Sequence, residues 1–320
     1  MRIEKLTPAL KDYLWGGTAL KERFGKQTQF ARVAESWELS CHPDGESLID
    51  GGQYDGIPLS RVIGEQGKAV LGTNCRRFES LPVLIKLIDA NSNLSIQVHP
   101  NDEYASRVEG GTGKTEMWYV VDCKPGATLY CGFAKSLTKQ QFATLIERGE
   151  LQTALNAVPV KKGDVLFIDA GTIHAIGAGI LIAEIQQSSN TTYRVYDYGR
   201  TGADGQPREL QVQKALDVTI TRPFAPSSIA EQDYCVLDGY QTRRLARCDY
   251  FTVHELVIQT QAMLQADETS FQSLLCLDGQ GTVECADQCV IIKKGDSLFV
   301  PAGLGNYRIA GELTLLQTVV

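Results

Sequence analysis

Three short stretches of the chain carry side chains able to hold a divalent cation. In "LSIQVHPND", strand alternation sets Ser95, Gln97 and His99 on one face and Ile96 and Val98 on the other. A short helix-like piece and a glycine-rich turn follow, and "GKTEMWYVV" then opens a second apolar run with Glu116, on the face of Trp118 and Val120. A third run, "DVLFIDAGTIH", ends at His174 just beyond Gly171, and the chain has only 4 histidines to spend. Two imidazole nitrogens, a carboxylate and the Gln97 amide oxygen, brought into one barrel, suit zinc at ligand distances of about 2.0–2.2 Å. A lone histidine is more often structural, and a carboxylate leading an apolar strand is usually solvated. The coincidence on three segments changes the balance, because a buried carboxylate without a partner is costly and a cation removes that cost.

The elements that must position these groups are mostly strands. "ESWELS", "LPVLIKLIDA", "EMWYVVD", "TLYCGF", "DVLFIDAG", "GILIAEIQQ" and "TTYRVYDYG" are period-two runs separated by Gly, Asn, Asp or Pro turns. Helical spacing is clearest at about 137–157, where Phe142, Leu145 and Ile146 share a face and Gly149 divides two pieces. "KKGDVLFIDAGTIH" (161–174) returns without a gap as "KKGDSLFVPAGLGN" (293–306), with Asn306 at the position of His174. The expected architecture is mainly β: two related barrels and a small helical insertion. A composition shift at "TRPFAPSSIAEQDY" suggests a catalytic domain over 1–225 and a degenerate, metal-free barrel over 226–320.

Bulk properties exclude some functions. A net charge of −7 gives nucleic acid no general attraction. The first residues lack the apolar core of a signal peptide and no apolar run is long enough to span a bilayer, so a cytoplasmic location without membrane association is expected. The 9 cysteines are scattered without a CxxC pair and read as reduced thiols.

"YLWGG", "ESWELSCHPDG", "LIKLIDANSNLSIQVHPND", "GKTEMWYVVDCKPGA" and "QQSSNTTYRVYDYGR" together resemble the short bacterial class of type I mannose-6-phosphate isomerases, within the cupin superfamily. Asp169, where cupins usually carry proline, and Ala178 depart from the general cupin pattern but not from the isomerase one. The resemblance implies two cupin-like, jelly-roll barrels and one zinc ion per chain on His99, Glu116 and His174 with Gln97 as fourth ligand. It also implies a hexose phosphate substrate, isomerised through a cis-enediolate. Arg194 matches the family's active-site arginine, Lys114 its K-x-E lysine, and Glu184 a carboxylate near the metal that could act as base; a zinc-bound hydroxide is the other candidate base.

Lys86 sits inside an apolar strand, where a charge is expensive unless paired or functional. Lys86, Lys114 and Arg194 are therefore expected to meet the phosphate and the developing oxyanion. Trp15, His42 and His254 are assigned structural roles. Two rivals remain: a phosphosugar-sensing cupin, which lacks a helix-turn-helix or basic tail here, and an iron-dependent oxygenase, since two histidines and a carboxylate also suit iron. The chain is expected to act as a monomer or homodimer.

Overall fold

The computed structural model describes residues 2–202, 205–286 and 288–320. It is mainly β, with two compact units that are discontinuous in sequence. The first contains residues up to Asp12, Thr18–Leu87 and Ser228–Val320; the second contains Tyr13–Gly17 and Ile88–Ser227.

In the second unit, a five-stranded sheet runs in the order Tyr193–Tyr196, Ile96–Val98, His174–Ile176, Thr128–Phe133, Leu155–Pro159. One of its faces is apolar: Ile96, Val98, Ala175, Tyr193 and Val195 are buried beneath Phe142 and Ala215. Phe142 comes from the helix Lys139–Glu147, which starts in a capping box between Thr138 and Gln141. Ala215 comes from the helix Val212–Val218. After Gly149 only one 3-10 turn, Leu151–Ala154, continues the helical section, and Leu155–Pro159 is already a strand. The sheet's other face carries a polar row, because Arg194 pairs with Gln97, Gln97 with His174, and His174 with Cys131.

Three antiparallel strands supply the complementary layer of this unit, with Glu116–Cys123 between Val165–Ile168 and Ile180–Gln187. Register sets Glu116 beside Gln186 and Trp118 beside Glu184. Directly opposed residues of an antiparallel pair point to the same side, so all four share a face.

The first unit holds the C-terminal barrel, built on the long strands Gln272–Cys285 and Gly305–Val319 around Leu274, Leu298, Ile309 and Leu315. Its sheet includes Glu4–Thr7, which pairs with Ser297–Val300 so that Glu4 meets Phe299 and Leu6 meets Ser297. Most residues before Ile88 thus pack with the C-terminal strands, whereas the sequence reading had grouped them within 1–225. Alternation marks a strand without naming its partner. The internal repeat is visible as matching turns: Asp164 accepts from Lys161 N and Asp296 from Lys293 N, both at 2.9 Å. His174 is fully buried, whereas Asn306 is exposed. No described helix is long and apolar enough to cross a membrane.

Candidate metal centre

His99, Glu116 and His174 come together as three buried residues whose ligand atoms lie within 4.8 Å of one another. His99 Nε2 is 3.6 Å from Glu116 Oε2, and His174 Nε2 is 3.4 Å from Glu116 Oε1. A tetrahedral ion with bonds of about 2.1 Å keeps its ligand atoms about 3.4 Å apart, so the spacing suits such an ion.

The imidazole tautomers are fixed by backbone carbonyls. His99 Nδ1 donates to Thr191 O and His174 Nδ1 donates to Thr172 O, both at 2.9 Å. Each ring therefore turns an unprotonated Nε2 toward the centre; that of His99 accepts from Lys114 Nζ, and that of His174 is buried without a hydrogen-bond partner among the described residues. Carbonyl partners of this kind orient metal-ligating histidines and raise their basicity. Burial drives the His174 pKa down to about 4, which keeps the ring neutral as a ligand must be.

Loop geometry brings the ligands into register. Gly171 has φ 87°, which a side chain rarely adopts, and a Cβ there would stand 2.8 Å from Val218 O. Its N–H donates to His99 O at 2.8 Å, tying the turn before His174 to the neighbouring ligand. Asn101 caps the helix Asp102–Glu109, Gly110 ends it, and Gly113 returns the chain against Asn101. Lys114 N then donates to Pro100 O at 3.0 Å, which sets the Lys114 side chain beside His99.

The remaining sequence-predicted residues distribute unevenly. Lys114 is buried, with Nζ 3.2 Å from Glu116 Oε2 and donating to His99 Nε2 at 3.1 Å. Gln97 lies between His174 and Arg194 in register, and Arg194 Nε donates to Ser95 Oγ at 3.3 Å. Glu184 accepts from Trp118 Nε1 at 2.9 Å, and the Trp118 ring stands edge-on to His174 with centroids 5.3 Å apart. Lys86 belongs to the first unit, where Nζ is 3.5 Å from Glu35 Oε2 and 5.0 Å from the Trp37 ring centroid. Its buried charge is met there by a carboxylate and an aromatic face. His42 Nδ1 accepts from Asp44 N at 3.1 Å and orders its own turn.

Two contributors escaped the sequence reading. Gln186, opposite Glu116, leaves a buried Oε1 without a hydrogen-bond partner; its amide donates to Gln187 O and Ser189 O. Its alternation with Glu184 was the only signal available. The Thr191 and Thr172 carbonyls leave no trace in residue identity. Beyond Arg194 the alternation also fails, because a bulge between Arg194 and Tyr196 puts Tyr196 against the apolar face with Val195.

A β-barrel architecture that buries a His–Glu–His cluster defines a cupin with a site suited to a metal. Comparison with known proteins narrows the class. The family model "Phosphomannose isomerase type I, catalytic domain" matches residues 3–125, and "Mannose-6-phosphate isomerase, cupin domain" matches residues 241–320. The chain is 38% identical over 305 residues to mannose-6-phosphate isomerase ManA of Bacillus subtilis, covering 95% of this chain and 94% of that one. It is 35% identical to the mannose-6-phosphate isomerase of Streptococcus mutans, with coverages of 95% and 94%. The crystal structure of the Bacillus subtilis mannose 6-phosphate isomerase superposes over 100% of both chains with a TM-score of 0.93 and 34% identity. The chain belongs to the type I mannose-6-phosphate isomerase family, and it is an enzyme of the isomerase class.

Proposed function

We propose that the chain interconverts mannose 6-phosphate and fructose 6-phosphate by proton transfer through a cis-enediolate, with one zinc ion held by His99, Glu116, His174 and Gln97. The observation that carries the reading is the pair of unprotonated imidazole Nε2 atoms converging on one buried carboxylate. Iron suits two histidines and a carboxylate as well, but Gln97 on the same sheet face adds a neutral oxygen, and the adjacent cations favour an anionic sugar. When bound, zinc supplies Lewis acidity that polarises the sugar carbonyl.

The chain's own groups supply the rest. Lys114, beside two of the ligands, stabilises the charge that develops on the sugar oxygens. Arg194, two strands from His174, meets the anionic substrate farther along the same face. Glu184, held by Trp118, moves the proton between adjacent carbons; a carboxylate in so dry a position suits general-base work. The C-terminal repeat holds no metal, since Asn306 is exposed at the position matching His174.

The test combines turnover with elemental analysis. Purified protein given mannose 6-phosphate should yield fructose 6-phosphate, lose activity with a chelator, and carry one zinc per chain. Iron with oxygen consumption, or two tightly held zinc ions per chain, would sink the proposal. For the base, Glu184→Gln should keep its metal but lose exchange of the substrate proton with solvent; retained exchange would exclude Glu184.

A further inference from the structure

Three consecutive backbone N–H groups are held where the chain delivers Lys114. Gly113 N donates to Asp102 Oδ1 at 2.7 Å, Lys114 N to Pro100 O at 3.0 Å, and Thr115 N to Gln187 Oε1 at 2.8 Å. Gln187 Nε2 donates to the same Asp102 Oδ1 at 2.9 Å, so the two side chains that hold the flanks of Lys114 also hold each other. Asp102 opens the helix that follows His99, and Gln187 closes the strand Ile180–Gln187.

This clamp departs from ordinary strand pairing. One step past the Gln186–Glu116 pair, Gln187 N donates to Thr115 O at 3.1 Å, but Gln187 O is taken by Ser189 N at 2.7 Å and by Gln186 Nε2 at 2.8 Å. The Gln187 side-chain oxygen therefore replaces the carbonyl that would receive Thr115 N in a regular antiparallel ladder. Both ends of the buried amide are used, the oxygen by Thr115 and the nitrogen by Asp102, and an apolar side chain there would leave Thr115 N without its acceptor.

The clamp matters because of what it anchors. The run before Lys114, "EGGTG", is rich in glycine and has little stiffness of its own. Lys114 reaches the centre on a flexible four-carbon stem, and its Nζ lies 3.1 Å from His99 Nε2 and 3.2 Å from Glu116 Oε2. Misplacing such a group by about 1 Å can cost about 100-fold in rate. His99 has separate support: Thr191 O receives its Nδ1, and Thr191 N donates to Ser189 Oγ at 3.3 Å, a route that does not use the Gln187 amide.

Resting on the role given above to Lys114 at the reacting oxygens, we infer that Gln187 and Asp102 are positioning residues for the isomerisation. Their amide–carboxylate couple fixes the root of Lys114, and through it the place of the ammonium.

The test is a double-mutant cycle with metal content measured on every protein. Gln187→Ala and Asp102→Ala should each lower kcat for mannose 6-phosphate about 10- to 100-fold, with KM changed less than about 3-fold and metal retained. In a Lys114→Met background, Gln187→Ala should lower kcat by less than about 2-fold, because a group that acts through the ammonium has nothing left to place. A merely structural role would give the same loss in both backgrounds. Asp102→Asn keeps an oxygen acceptor and should restore most of the turnover lost in Asp102→Ala. Should Gln187→Ala fail to fold, the half-buried Asp102 carries the same cycle. Equal losses with and without Lys114, unchanged kcat in the single variants, or loss of metal from Gln187→Ala would overturn the inference. Lys114→Met turning over like the wild type would instead remove the parent reading, and the inference with it, a distinguishable result.

Discussion

Replacing Trp118 with Phe deletes one donor at the centre while keeping an aromatic ring beside His174. The lost contact is the 2.9 Å hydrogen bond from Nε1 to Glu184 Oε2, at a carboxylate only 3% exposed. A hydrogen bond to a charged group contributes about 1.5–3 kcal/mol, and one pKa unit corresponds to about 1.4 kcal/mol. Because the donor favours the anion, its loss weakens the carboxylate form of Glu184. If Glu184 is the base, the acid limb of kcat/KM against pH moves upward, so activity at mildly acidic pH falls about 10- to 100-fold while the plateau changes less. The smaller ring also leaves a cavity, which costs stability but does not move a titration limb. The assay is a pH–rate profile on protein of measured metal content. An acid limb in the same place as in the wild type, with melting temperature alone reduced, would refute the coupling of Trp118 to a catalytic Glu184.

Other perturbations probe separate parts of the site. His174→Gln should abolish stoichiometric metal binding and cut turnover by at least about 1000-fold, as judged by elemental analysis and initial rates; full metal retention would contradict the ligand assignment. Gly171→Ala forces a side chain into φ 87° against Val218 O, so thermal denaturation should show a loss of about 1–3 kcal/mol. Lys114→Met should lower kcat far more than it alters KM, with metal retained; unchanged kcat would exclude Lys114 from stabilising the reacting oxygens.

How far residue order discloses such a molecule depends on whether the relevant physics is local. The candidate ligands were legible because each ends or begins a strand whose alternation can be counted. The GD turns were legible because an Asp three residues after a lysine closes the same loop in both repeats. Pairing partners were not legible. Nothing in "IEKLT" says that Leu6 will lie opposite Ser297, or that Lys86 will find Glu35 and Trp37. The carbonyls of Thr172 and Thr191 were equally hidden, since every residue carries one. The bulge after Arg194 likewise breaks the alternation that a regular strand would have kept.

The pairing of Glu4–Thr7 with Ser297–Val300 also bears on synthesis. At translation rates of about 5–20 residues per second, the earliest strand waits roughly 15 s to a minute for its neighbour to leave the ribosome. Meanwhile Ile88–Ser227, the larger part of the second unit, has already emerged. All residues of the candidate site are thus made while Glu4–Thr7 still lacks its Ser297–Val300 partner and presents an open edge, available to chaperones or to a neighbouring ribosome's product.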